Sequence, residues 1–143
     1  GATPDIIGRR NGVGVLDDST ETLQRGRDHR LWQGVDAMPP VGSALSEFRL
    51  GGRRILVAEG RCAAEDGTLA GSVLDMASAV RNARTILGID MATAIRLASR
   101  APARALRLEG VQGDIRVGLR ADFALLDKTD RVVNTWIGGV AAH

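Results

Sequence analysis

A chain of 143 residues, 44% apolar and 25% charged, has the make-up of a globular protein with one core. It is too short for a complete (β/α)8 barrel, which takes about 250 residues. Its single cysteine, Cys62, excludes a disulfide within the chain and every multi-cysteine metal motif.

Residues 1–30 show no lasting period. Gly1, Gly8, Gly12, Gly14 and Gly26 interrupt them, and charge runs such as Arg25-Gly26-Arg27-Asp28 follow, so a surface arm or a poorly ordered terminus is expected. Leu31-Trp32-Gln33-Gly34-Val35 reads as a short strand, stopped by Pro39-Pro40. Phe48-Arg49-Leu50, Gly51-Gly52 and Ile55-Leu56-Val57 then spell strand, turn and strand. A third strand is expected at Arg61–Ala64, with Cys62 buried in it as a small hydrophobe, and Asp66-Gly67 closes this β unit.

Ser72 is the expected N-cap of the strongest helix, with Asp75 completing a capping box in place of Glu. Met76, Ala77, Val80, Ala83, Ile86 and Leu87 follow at helical spacing, and Gly88 is a C′ glycine. Asp90 caps a second helix with the stripe Met91, Ala94, Ile95 and Ala98, and Pro102 suits the first turn of a third over 103–108. After Gly110 the pattern turns extended: a strand at Phe123-Ala124-Leu125-Leu126, a turn at 127–130, and a strand from Val132 to Gly138-Gly139.

Val35-Asp36-Ala37-Met38-Pro39-Pro40-Val41-Gly42-Ser43 puts an acidic residue at the end of an apolar run and a Pro/Gly-rich loop directly after it. A βα-barrel enzyme presents a catalytic carboxylate this way, at the C-terminal end of a strand. Together with Gly67-Thr68-Leu69-Ala70-Gly71-Ser72, and with the tail from Gly118-Leu119-Arg120-Ala121-Asp122-Phe123 to Gly139, this resembles the N-acetylglucosamine-6-phosphate deacetylases of the amidohydrolase superfamily. The resemblance runs over about residues 31–139. It implies an α/β fold, the C-terminal fragment of a metal-dependent (β/α)8 barrel. Its parts would be the last βα unit with a β-hairpin insertion and following helices (31–108), and C-terminal strands of a β-sandwich domain (109–143). Residues 1–30 form a divergent N-terminal segment in this division.

The resemblance also implies roles. Asp36 becomes the catalytic residue, taking a proton from water and protonating the leaving amine, although Val35 stands where that family has Thr or Ser. Leu69, Ala70 and Gly71 become contacts to the sugar substrate. In that family a glutamate and two histidines from earlier strands hold a divalent metal, Zn or similar. This chain has only His29 and His143, neither at a ligand spacing, so it is expected to bind no metal alone. Where the family has Asp-Gly-x-His upstream of the catalytic aspartate, Asn11-Gly12-Val13-Gly14 is the nearest match, with Gly14 in place of the histidine.

The expected function is therefore hydrolysis of the N-acetyl amide of a phosphorylated amino sugar to acetate and glucosamine 6-phosphate, by a truncated chain inactive alone. Two alternatives stand: a non-catalytic, self-associating remnant of the amidohydrolase fold, and one part of a split enzyme. A homo-oligomer is expected. The net charge is only +2, arginines such as Arg9, Arg10, Arg27 and Arg30 are interleaved with Asp17, Asp18, Glu21 and Asp28, and there is no Tyr. A nucleic-acid partner is not expected on that balance. No apolar run approaches the ~20 residues of a membrane span and no leader is visible, so a cytoplasmic protein is expected.

Overall fold

The computed structural model describes residues 6–10, 13–16, 21–25 and 31–142, with side chains from Val35 onward. Within the N-terminal stretch where the sequence shows no period, three strands are present: β1 (Ile6–Arg10), β2 (Val13–Leu16) and β3 (Glu21–Arg25). They form an antiparallel meander with the expected strand β4 (Leu31–Val35), which pairs along its whole length with β3.

A second antiparallel meander follows: β5 (Glu47–Leu50), β6 (Arg53–Ala58), β7 (Arg61–Ala64) and β8 (Leu69–Ser72). Its first three strands and their Gly51-Gly52 and Asp66-Gly67 turns lie where the alternation places them. Alternation sends Phe48, Ile55, Val57, Cys62 and Ala64 to one face, where Ile55, Cys62 and Ala64 form a buried cluster edged by Met38 and Val73. The opposite face carries an exposed ion-pair run in which Arg54 bridges Glu47 and Glu65. The fourth strand is a correction. Leu69, Ala70 and Gly71, placed by the sequence between the closed β unit and a helix start at Ser72, instead form a strand that pairs with β7 through Leu69 and Gly71.

Helix α1 spans Met76–Leu87, α2 Met91–Ala98 and α3 Arg100–Ala105, and all three lie against β4. Ala83 and Ala94 are fully buried where α1 meets α2, and with Val80 they form the second cluster of the core. Small side chains at the crossing let the two helices approach closely.

The expected start of α1 at Ser72 is not observed. Asp75 is the N-cap, its carboxylate accepting from Ser78 N at 2.9 Å, and Ser72 instead ends β8 with its main chain bound to another strand. Asp90 caps α2 as expected, accepting from Thr93 N at 3.0 Å, and Gly88 closes α1 at φ +67, a left-handed conformation open to glycine without strain. The third helix begins three residues earlier than 103, with Pro102 still in its first turn.

The cap makes a testable difference. Replacing Asp75 by Ala leaves Ser78 N–H without its acceptor and is expected to lower stability by about 1 kcal/mol in urea unfolding. Partial burial disfavours the Asp75 carboxylate, but hydrogen bonds from Ser78 and from the Ser78 and Ala77 amides outweigh it, and the net shift is below the ordinary 3.8. The unfolded chain therefore binds more protons at acid pH. The cap's contribution is complete above about pH 5, is lost progressively as pH falls through and below 3.8, and its loss should be missing from the acid limb of the Asp75→Ala variant.

Strands β9 (Phe123–Leu126), β10 (Val132–Ile137) and β11 (Val140–Ala142) make a third antiparallel sheet in the order β11-β10-β9. The turn at 127–130 is held by the Asp127 carboxylate, which accepts from Thr129 N at 2.8 Å and Arg131 N at 3.0 Å. Asp130, at φ +60 and buried, reaches α1: its carboxylate pairs with Arg84, and its carbonyl accepts from Arg81 at 3.0 Å. β11 is an addition to the expected strands.

Candidate active site

As expected, Asp36 lies directly after the C-terminal end of β4, and it is exposed to solvent. Its backbone is tied to the end of β8. Ser72 N donates to the Asp36 carbonyl at 2.9 Å, Met38 N donates to the Ser72 carbonyl at 2.9 Å, and Ala37 and Ser72 make a parallel bridge. Residues 36–38, just past β4, thus run alongside the end of β8 across thirty-odd residues of intervening chain. The acidic residue and the Leu69-Ala70-Gly71-Ser72 segment, far apart in sequence, meet here.

The three candidate substrate contacts are not equivalent. In the register of β7 with β8, Cys62 faces Gly71 but the next residue, Ala63, faces Leu69, so Ala70 is an extra residue in a bulge. A bulge re-aims side chains at the end of a strand. Gly71 consequently packs against Asp36 and Met38, Ala70 is half-buried at the edge of the Ile55–Cys62 cluster, and Leu69 is exposed on the opposite face beside Ala63. Only Gly71 adjoins Asp36.

Cys62 is fully buried behind this junction. Burial pushes its thiol up from the ordinary value, and the nearby negative charge of Asp36 adds to the shift. The thiol is therefore a poor nucleophile, consistent with the packing role expected of it. A cavity of about 330 Å³ opens on the other side of Ser72, lined by Glu59, Gly60, Arg61, Ser72, Asp75 and Ser78 among others.

The chemistry available here is proton transfer by a carboxylate at a rigid strand end. Among the described residues there is no group of three or more His, Cys, Asp or Glu side chains that could hold a metal ion. His29, His143, Asn11 and Gly12 lie outside the described residues, while Gly14 is in β2. No helix among the described residues is long and apolar enough to cross a membrane. Sequence reasoning missed Met38, whose side chain fills the space over Gly71, and no local pattern marks it.

The profile of the Amidohydrolase family matches residues 60–142, which include β8 and begin after Asp36. N-acetylgalactosamine-6-phosphate deacetylase of Shewanella sp. (strain ANA-3) is 42% identical over 116 residues, covering 80% of this chain and 29% of that protein. The crystal structure of N-acetylglucosamine-6-phosphate deacetylase from Pasteurella multocida superposes with a TM-score of 0.72 at 28% identity, over 76% of this chain and 28% of that one. A mutant of the Mycobacterium smegmatis N-acetyl-D-glucosamine-6-phosphate deacetylase, in complex with N-acetyl-D-glucosamine-6-phosphate, superposes at 0.66 with 31% identity, over 75% and 29%. This chain belongs to the amidohydrolase family. Within it the chain is related to the deacetylases of N-acetylated amino-sugar 6-phosphates, and it spans 29% of the Shewanella relative's length.

Proposed function

We propose that the chain takes part in hydrolysis of the N-acetyl amide of an amino-sugar 6-phosphate, and that it does so as the C-terminal part of a (β/α)8 amidohydrolase. Asp36 is the group it contributes. The carboxylate takes a proton from the water that adds to the amide carbonyl, then delivers it to the nitrogen as the C–N bond breaks, leaving acetate and the free amine. The observation that carries the reading is the position of Asp36, at a strand end and zipped to Gly71-Ser72. In this reading β4 is the last barrel strand, β5–β8 the insertion after it, α1 the following helix, and β9–β11 strands of a β-sandwich. Metal ligands would come from outside the described residues, so the chain alone is expected to be inactive, as one part of an enzyme.

The test compares the purified chain with a chimera in which residues 31–142 replace the corresponding segment of a full-length relative. Acetate release is measured on N-acetylglucosamine 6-phosphate and N-acetylgalactosamine 6-phosphate, with zinc present. We expect none from the chain and turnover from the chimera, with the preferred epimer read from the same assay. A folded chimera without turnover on either sugar would overturn the proposed function. Turnover by the chain alone, lost on Asp36→Asn, would overturn its dependence on other segments.

One observation favours self-association as a second reading. The β9–β11 sheet leaves Leu125, Val133, Ile137 and Val140 each more than half exposed. Apolar strands with free edges recruit partners. The chain is expected to be oligomeric by light scattering, and a monodisperse monomer at high concentration would count against this.

A further inference from the structure

Gly71 is packed closely within the chain. A Cβ built on it would lie 2.5 Å from Met38 Cγ, 2.9 Å from Met38 Sδ and 2.9 Å from the Asp36 carbonyl oxygen, and its φ is +146. Real Cβ atoms do not approach neighbours so closely, and L side chains seldom adopt that backbone angle. The ladder from Asp36 to Ser72 to Met38 therefore closes because residue 71 has no side chain and Met38 occupies the room left. Ser72, 2% exposed, and Cys62, fully buried, back the junction from within, so the strand end has little room to yield.

We propose that Gly71 and Met38 are positioning residues for Asp36: side-chain-free backbone at 71, filled over by the Met38 thioether, sets where the strand end carrying the carboxylate sits. The proposal rests on the reading of Asp36 as the proton-transfer group. Its local content is independent of that reading, because it concerns a junction present without substrate.

The experiment uses the full chain without substrate, by NMR. It follows amide exchange at Met38 and Ser72, the two donors of the ladder, and the side-chain carboxyl ¹³C resonance of Asp36. In Gly71→Ala, exchange at both amides should rise at least about tenfold while α1 and α2 amides keep their protection, and the Asp36 resonance should move. Met38→Ala, the milder change, should move the same signals less. The double variant places a methyl where the thioether was, so it should lie closer to wild type than Gly71→Ala does. Rescue should be partial, since the φ of +146 remains.

If Gly71→Ala does not fold, Met38→Ala alone decides. Unchanged amides and an unmoved Asp36 resonance in the folded variants, or a double variant no better than Gly71→Ala, would overturn the proposal. A positive result with an inactive chimera would instead leave the junction established and remove the catalytic role of Asp36.

Discussion

Asp36→Asn, placed in the active chimera, is expected to lower kcat by about 10²–10⁴-fold, the usual contribution of a positioned general acid–base, and to leave KM within a few-fold. The substitution suits the question because Asn has nearly the same shape and cannot accept a proton near neutral pH. The ladder that holds the strand end uses only main-chain groups of residue 36, namely its carbonyl at 2.9 Å from Ser72 N. The loss would then report the proton transfer and leave the geometry untouched. Unchanged amide exchange at Ser72 is the control. A variant that keeps more than about a tenth of the parent's kcat would move Asp36 out of the catalytic role.

The same junction shows where sequence reasoning reaches and where it stops. The strand-end position of Asp36 is legible because a carboxylate between an apolar run and Pro39-Pro40 has a local signature. The β5–β6 hairpin, α2 and the 127–130 turn are legible for the same kind of reason: alternation, a capping aspartate and turn residues all act within a few positions. Strand β8 is not. Leu69-Ala70-Gly71-Ser72 has weak strand propensity, and its extended state comes from pairing with β7 on one side and with residues 36–38 on the other.

Ser72 and Asp75 make the point at single-residue scale. Each is a good N-cap by type. The choice falls to Asp75 because Ser72 is buried and its amide and carbonyl are engaged by Asp36 and Met38, so the chain cannot turn into a helix there. The hydroxyl of Ser72 instead accepts from Leu74 N at 3.1 Å, which helps turn the chain out of the strand toward the cap. Likewise Met38 has no motif, since its role exists only once Gly71 lies beneath it. Tertiary contact decided these positions, and local propensity supplied only candidates.

The largest stability effect should come from the contact between the 127–130 turn and α1. Asp130→Ala is expected to destabilise the chain by about 2–3 kcal/mol, less than the roughly 3–5 kcal/mol lost when a fully buried pair is broken. The Asp130 side chain is 12% exposed and that of Arg84 36% exposed, so water screens part of the pair. Removing the carboxylate leaves Arg84 without its charged partner, while its Nε is already buried with no hydrogen-bond acceptor. Alanine at φ +60 costs up to about 1 kcal/mol more, because it keeps the Cβ that crowds the following carbonyl but lacks the short polar side chain that lets Asp and Asn adopt this conformation.

Asp130→Asn separates these effects. Asn tolerates the left-handed conformation, so only the charge is lost, and a smaller penalty of about 1–2 kcal/mol is expected. The Arg81 bond goes to the main-chain carbonyl of residue 130, which none of these substitutions removes. Combining Asp130→Asn with Arg84→Met removes the stranded cation together with its acceptor-less Nε, so the double variant should lose less than the two single losses added. Urea unfolding of the four proteins gives that coupling directly. Additive losses, or an Asp130→Ala cost below about 0.5 kcal/mol, would show that the β9–β10 turn is held to α1 by something other than this ion pair.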